Sequence, residues 1–544
     1  MSNHSEPIDA DSTQEPHPQE KAPVELPDGG ANNYLRLKDV TPKLEKYWFQ
    51  YPYLLKLNIL ILGGVFAQVV SGYDGSLLNG MQSLDVWQNY FNTPQGAMLG
   101  TITNGLTIGT LISTPFVWIL CERIGRRRSL IIGCLTIVLG GFIQAFATST
   151  GMFVGGRIII GIGGCLSQTA ASPLVAECSY PPQRPIMTAL LLVWWNLGSF
   201  VAALVTWGPY NGGLRTNNWA WRLPSLLQIF FPCCQIVLGY FGPESPRWLV
   251  DKNREDEALE MLAKYHANGD TSSPLVLYEM GEIRAAVELE KESKSSSWLE
   301  WFKSKQMFHR FFICCAVPAI WQLCGNALVS YYLHLVLDTV GLTDSVEQLK
   351  INLGLTVWTL FCGTLYSMVV DKFPRRSVLF VGFSTSCLTF VIWTILSALS
   401  EKGDYKNKGL AAGVVTMIYL FNTANTINVP IAVTYVMEIA PYNMRAKAST
   451  LYQLWGNVAG LFNNYVNPIG LANIHWKYYI VWPVWILVHI TVVYFFFPET
   501  YGLSLEEVDE VFMSKEEIAA RNQKQAEIIE DSNFEKKEQT EQID

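Results

Sequence analysis

Four side chains of the Asp, Glu, Lys, Arg and His kind stand well inside long apolar runs of this sequence: Asp74, Arg157, His334 and His489. Each needs a reason, because a charge at the centre of a membrane helix costs about 2.5–3.5 kcal/mol even on a lenient insertion scale. Asp74 lies in Ser71-Gly72-Tyr73-Asp74-Gly75, and Arg157 lies in a run that enters from the opposite side, so the two can meet at similar depth. A carboxylate set against a guanidinium, and released when the acid takes up a proton, is a proton-controlled switch between two packings of their helices. A permanent structural ion pair would use the same residues, and both readings stand at this point. His334 and His489 sit near run ends, where a half-exposed imidazole can reach a headgroup or a loop carbonyl, and are expected to be structural.

A second set of side chains is polar without charge. Gln322 and Asn326 are four residues apart, the spacing of one helix face; Asn422, Asn425 and Asn428 follow in a later run, and Gln453, Asn457, Asn463 and Asn464 in the next. Trp195, Trp321, Trp358 and Trp455 could supply flat apolar faces. Amides both donate and accept, and rings cover C–H surface, so this is the chemistry of an uncharged, polyhydroxylated ligand. The residues singled out for such contacts are Gln322, Asn326, Trp195, Asn425, Asn457 and Trp455. Asparagines also bridge helices as polar glue, which is the competing reading for any one of them. The lack of intramembrane basic clusters argues against phosphate or carboxylate ligands. The eleven cysteines fall in apolar runs or at their ends with no CxxC, so neither a metal nor a redox cofactor is expected. No HExxH helix, GxSxG elbow or paired aspartates occur in the runs, which argues against an enzyme.

The elements that must position these residues are membrane helices. Half of the 544 residues are hydrophobic and only 16% are charged. Runs near 57–79, 97–120, 129–148, 152–176, 187–207 and 222–242 each reach the ~20 apolar residues that cross a bilayer. Six more stand near 311–337, 349–370, 378–399, 409–435, 449–471 and 477–497. The net charge of −8 comes from the ends, because residues 1–45 hold nine acids and four bases and 505–544 hold thirteen acids and five bases, which leaves the core near +5. Those ends read as solvated tails, and nothing resembles a nucleic-acid surface. Lys and Arg number ten in the short loops 122–128, 177–186, 371–376 and 438–448 and six in the longer loops opposite, so the even span count puts both tails in the cytosol. The N-terminus shows no apolar segment for a signal peptidase.

The two sets of six repeat each other. Glu122-Arg123-Ile124-Gly125-Arg126-Arg127 after span 2 matches Asp371-Lys372-Phe373-Pro374-Arg375-Arg376 after span 8, an offset of 249. Glu177 and Arg184 after span 4 match Glu438 and Arg445 after span 10, and Pro243-Glu244-Ser245 after span 6 matches Pro498-Glu499-Thr500 after span 12. That is the signature of a duplicated transporter. The charges, with Arg247, read as a cytosolic gate: Glu122, Arg123, Arg126, Glu177, Arg184, Glu244, Arg247, Asp371, Arg375, Glu438, Arg445 and Glu499. Positive-inside topology signals are the plainer reading, and each exposed pair is worth under about 1 kcal/mol.

Gly156-Arg157, the Glu-x6-Arg pairs, Pro243-Glu244-Ser245-Pro246-Arg247-Trp248-Leu249, Gly325 with Tyr331-Tyr332, and Pro498-Glu499-Thr500 together resemble the sugar porter family of the major facilitator superfamily, from about Leu57 to Phe512. Within it, Gly325-Asn326-Ala327-Leu328-Val329-Ser330-Tyr331-Tyr332 and Tyr465-Val466-Asn467-Pro468-Ile469 look like the fungal lactose permease and cellodextrin transporter group. The family's paired glutamines in span 7 are Trp321-Gln322 here, its asparagine is displaced to Asn326, and span 5 lacks the glutamine of hexose carriers. The resemblance implies an all-α membrane protein of twelve transmembrane helices in two six-helix pseudo-repeats. It also implies a proton-coupled carrier for a disaccharide or related glycoside, with Asp74 and Arg157 in the coupling. A facilitative hexose uniporter and a non-transporting sugar sensor are the alternatives. The expected layout is a tail 1–56, bundle 57–242, cytosolic linker 243–310, bundle 311–497 and acidic tail 498–544. The partners are a sugar, a proton and the bilayer, with no cofactor, and the chain acts as a monomer in the plasma membrane.

Overall fold

The computed structural model describes residues 37–42, 44–293, 297–369, 372–441, 444–503 and 505–513. A small N-terminal unit, whose described part, 37–42, holds the helix Leu37–Val40, is followed by one large unit that begins at Leu44. No strand occurs among the described residues. Most of the two expected tails lies outside them.

Spans 1 to 5 are Pro52–Gln82, Gly96–Ile124, Arg126–Ala145, Thr150–Cys178 and Arg184–Pro209; span 6 is the pair Trp219–Leu227 and Phe230–Phe241. Span 7 comes in three pieces, Lys305–Gln322, Asn326–Tyr331 and Leu333–Asp338. Spans 8 to 12 are Ser345–Val369, Arg375–Lys402, Lys408–Thr426 with Val429–Ile439, Arg445–Ile474 and Val481–Phe496. Helical segments therefore stand at the places of all twelve expected spans among the described residues, in two sets of six. Length and composition alone pick out nine stretches, one of which, Lys447–Phe496, holds both span 11 and span 12. Span 5 escapes that test because it bends, and span 7 because it is broken into pieces of which the longest, Lys305–Gln322, carries polar residues at both ends. Span 1, at 31 residues, is roughly 46 Å long at 1.5 Å per residue, so it must tilt or project beyond a core of about 30 Å. Large apolar side chains such as Phe116, Leu139, Phe361, Leu388 and Phe495 point outward, as a lipid-facing surface requires.

Lipid tails are as apolar as leucine, so these helices hold together by close approach and hydrogen bonds. Spans 3 and 4 meet glycine to glycine: a Cβ on Gly140 would lie 2.8 Å from Gly156 O, and one on Gly163 2.6 Å from Gly133 O. The break in span 7 also needs a glycine. Gly325 has φ +89°, and a Cβ there would lie 2.6 Å from Cζ of Phe390. That break corrects one expectation: Gln322 ends one helix and Asn326 begins the next, so the four-residue spacing does not give them a common face. Both histidines are also buried rather than half-exposed, at 5% for His334 and 3% for His489. Span 7 continues past its breaks to Asp338, and His489 lies mid-helix with its ring 6.0 Å from that of Phe383.

The chain between the two sets forms the helices Pro246–Asp251, Glu255–His266 and Pro274–Ser293, which cover one face and are called the linker helices below. Buried Glu279 ties them to span 5 through Arg184 at 3.7 Å and holds His266 Nδ1 at 2.7 Å.

Candidate functional site

A cavity of about 600 Å³ lies between the two sets of helices. It runs from Asp74 and Tyr331 to Trp118, Pro173 and Ser449, which stand near the linker-face ends of spans 2, 4 and 11. The wall is polar and almost uncharged. Span 1 presents Gln68, Ser71 and Asp74, spaced three apart along one helix face. Thr107, Gln168 and Trp195 add a hydroxyl, an amide and a ring from spans 2, 4 and 5, while Gln453 and Asn457 come from span 11. Asp74 is the one Asp, Glu, Lys, Arg or His among the described lining residues.

On the opposite face the two halves are sewn together. Asn79 Nδ2 donates to Val329 O at 3.3 Å and to Asn352 Oδ1 at 3.1 Å, and Asn79 Oδ1 accepts from Leu333 N at 3.2 Å. Asn79 thereby satisfies backbone groups on both sides of the second break in span 7, which lipid could not do. Asn104 Nδ2 donates to Leu461 O at 3.1 Å and its Oδ1 accepts from Asn464 at 3.2 Å, while the hydroxyls of Thr101 and Tyr465 stand 3.3 Å apart. Six hydrogen bonds between described residues thus close this far face, and the cavity faces the linker helices.

Asp74 and Arg157 are both buried, at 6% and 1% exposed, and each acts on the other electrostatically. They do not close into an ion pair: Asp74 Oδ1 and Arg157 Nε and Nη2 have no hydrogen-bond partner. Gln228 of span 6 reaches Asp74 from the side. Arg157 in turn lies in the field of Tyr331 and Tyr332, at the second break of span 7. Gly105 makes room for it, since a Cβ there would lie 2.7 Å from that of Arg157.

Of the residues expected to touch a ligand, Trp195 and Asn457 line the cavity. The ring of Trp195 lies against Gly75, beside Asp74. Gln322, Asn326, Asn425 and Trp455 are not on its wall. The backbone carbonyl of Gln322 accepts from Asn463 Nδ2 at 2.6 Å, Asn326 Oδ1 accepts from Ser330 at 3.1 Å, and Asn425 Oδ1 accepts from Cys324 at 3.3 Å. Trp455 is 41% exposed. Sequence reasoning passed over Gln68, Thr107 and Gln168; the three-residue polar rhythm from Gln68 to Asp74 was the available signal.

The charged motifs on the linker face form the same knot twice. Glu244 Oε1 accepts from the backbone N–H of Arg126 at 2.9 Å, Arg127 at 3.0 Å and Ser245 at 3.0 Å. Glu499 accepts from Arg375 N at 2.8 Å, Arg376 N at 3.1 Å and Thr500 N at 3.1 Å. Each carboxylate therefore caps the helix that opens at the arginine pair, where free N–H groups and the helix dipole favour an anion. The Ser245 hydroxyl bonds Glu177 and the Thr500 hydroxyl bonds Glu438 at 2.6 Å, while Arg375 reaches Glu438 at 3.3 Å. Arg126 Nη1 donates to Cys121 O at 3.1 Å, Arg445 Nε to Ala440 O at 3.4 Å, and Arg247 pairs with Glu290 at 2.9 Å. The backbone carbonyl of Glu122 accepts from Trp248 at 2.8 Å, and Arg123 is exposed. Asp371 lies outside the described residues. The glutamate caps join helix ends on one side of the repeat, and Arg247 with Glu290 joins two linker helices.

The sequence model of the sugar (and other) transporter family matches residues 60–512. The chain is 28% identical to an MFS glucose transporter of Aspergillus flavus, over 83% of this chain and 88% of that protein. It is 30% identical to a low-affinity glucose transporter of Saccharomyces cerevisiae, over 76% and 72%. In fold it is similar to the inward open conformation of the xylose transporter XylE from E. coli, with a TM-score of 0.69 at 20% identity over 84% of this chain and 100% of that one. A family match that runs from within span 1 to beyond span 12, on two six-helix sets around a polar cavity, means that this multi-pass membrane protein belongs to the sugar (and other) transporter family of the major facilitator superfamily.

Proposed function

We propose that the chain is a proton-coupled sugar uptake carrier that works by alternating access through the cavity at Asp74. One observation carries this reading: a wall of amides, hydroxyls and rings with a single carboxyl in it. Such a wall can trade hydrogen bonds with sugar hydroxyls and stack on the C–H face of a sugar ring, and it holds no fixed charge to bind an anion. The carboxyl touches the cavity while Arg157 stands behind it, so a proton arriving from the cavity can neutralise Asp74 without first breaking a bonded pair. Gln68, Gln168, Trp195, Gln453 and Asn457 are the proposed sugar contacts. The charged knots on the linker face serve as the gate, by fixing helix ends that move together. That face is the cytosolic one, as the Lys and Arg bias of its loops supports, and the membrane is the plasma membrane.

The cargo proposed is a disaccharide or related glycoside of the lactose or cellobiose type, in line with the departures in spans 5 and 7. The names of the fungal relatives favour a second reading, a hexose. A competition screen of labelled uptake in a transport-deficient cell separates them: block by cellobiose or lactose with indifference to glucose supports the first, and the reverse supports the second. Coupling is tested with Asp74→Asn. The variant is expected to lose uphill accumulation and its collapse by a protonophore while keeping counterflow exchange. Accumulation unchanged from the parent would remove Asp74 from the coupling.

A further inference from the structure

A second cavity, of about 420 Å³, lies where the start of span 3 and the end of span 6 meet the linker helices. Its floor is packed and apolar, since Trp248, Leu249, Met261 and Tyr265 are all buried. Its rim carries Arg127, Arg128, Arg254 and Lys264 against Glu244, Glu257 and Glu260. These charges are not equally committed. Glu244 is engaged by the backbone N–H groups of Arg126 and Arg127, and Glu257 holds Arg254 through two nitrogens at 2.7 and 2.6 Å. Arg127 anchors one nitrogen on Gly242 O at 3.1 Å, which fixes the guanidinium in place and leaves its charge intact. Glu244 likewise keeps its charge, so among the described lining residues Arg127, Arg128 and Lys264 stand against Glu244 and Glu260, an excess of one positive charge.

The internal repeat shows that this excess is not part of the shared architecture. Arg126 and Arg127 have counterparts in Arg375 and Arg376, and both pairs are capped by a glutamate. Arg128 corresponds to Ser377 at the same offset of 249, so the capping knot does not require it. Phe241, at the rim, and its neighbour Tyr240 are each 66% exposed at the end of a membrane helix, which sets the opening at the edge of the bilayer.

We propose that this cavity binds a phosphorylated ligand. Arg127, Arg128 and Lys264 hold its phosphate oxygens, and its organic part rests on the floor of Trp248 and Tyr265. Guanidinium forks match phosphate geometry, and three cations around one small space favour a group with more than one negative charge over a single carboxylate. The phosphate can arrive on a lipid headgroup, from the bilayer edge beside Phe241, or on a soluble ester.

The test uses the full-length chain in phosphatidylcholine nanodiscs. One arm adds a phosphatidylinositol bisphosphate to the bilayer, the other adds ATP to the solution, and binding is titrated in both. Saturable binding in the first arm assigns a lipid headgroup and in the second a soluble phosphate; binding in neither overturns the proposal. The paired substitution Arg128→Gln with Lys264→Gln should weaken the bound probe by about tenfold or more, the scale of losing one charge-assisted hydrogen bond. Glu260→Gln should tighten it, a gain that misfolding cannot produce. Unchanged affinity in the paired variant would likewise overturn the assignment.

Discussion

Asp74 and Gln453 show how far single residues determine what this cavity can do. Gln453 lines the same cavity as Asp74 but comes from the other half of the protein, so a sugar that bonds both spans the interface between the halves. Gln453→Ala should raise the KM for uptake about five- to tenfold, since one amide contact is worth about 1 to 1.5 kcal/mol, with kcat little changed. Gln322→Ala should raise it less, because that side chain stands off the wall, near Gly460 of span 11. Initial-rate measurements on both variants check this, and equal effects would place part of the sugar site beyond the cavity. At this scale the sequence was legible where the signal was cost. Asp74 and Arg157 stand out because a buried charge is expensive, and the structure sets them side by side on different helices. The amides carried no such signal, since an asparagine that glues helices and one that meets a ligand look alike in sequence. Asn463 and Asn464 proved to be glue, and Asn457 part of the wall.

Among the elements, the decisive feature is the pair of glutamate caps. Glu244 and Glu499 each gather two backbone N–H groups at the start of spans 3 and 9 and that of the residue that follows the glutamate itself. Replacing either with Gln keeps the shape and removes the charge. Each single variant should lose about 1 to 2 kcal/mol of stability, seen as a lower melting temperature of the purified protein, and should do so without added sugar. A full-length repeat of motifs made these elements visible in advance: offsets of 249, 255 and 261 between matched residues fix which helix ends correspond. What the motifs do was not visible, because acids and bases close in sequence suggest side-chain pairs, whereas here the acid bonds the backbone of the arginines. The break in span 7 was hidden for a similar reason. Spacing rules assume an unbroken helix, and Gly325 with its positive φ divides Gln322 from Asn326.

For the whole molecule, the far-face seam determines which way the cavity opens. Asn79 and Asn104 together contribute five hydrogen bonds across it. At about 0.5 to 1.5 kcal/mol each, losing them removes several kcal/mol from the closed far face, enough to shift a two-state population by two decades or more. The paired substitution Asn79→Ala with Asn104→Ala should therefore favour the opposite conformer. Labelling a cysteine introduced by Ser330→Cys, in a background freed of native cysteines, should become faster from the far side. An unchanged labelling rate would show that packing, rather than these bonds, holds the face shut.

The two caps have a consequence of another kind. Among the described residues, the glutamate caps of each knot bond residues of their own side of the repeat. A carrier built in this way can exchange one half for that of a relative without untying either knot. Hybrid chains joined within the linker would then inherit Asp74, Arg157, Gln68, Gln168 and Trp195 from one parent and Gln453 and Asn457 from the other, and such recombinants would show which half's share of the wall sets cargo choice.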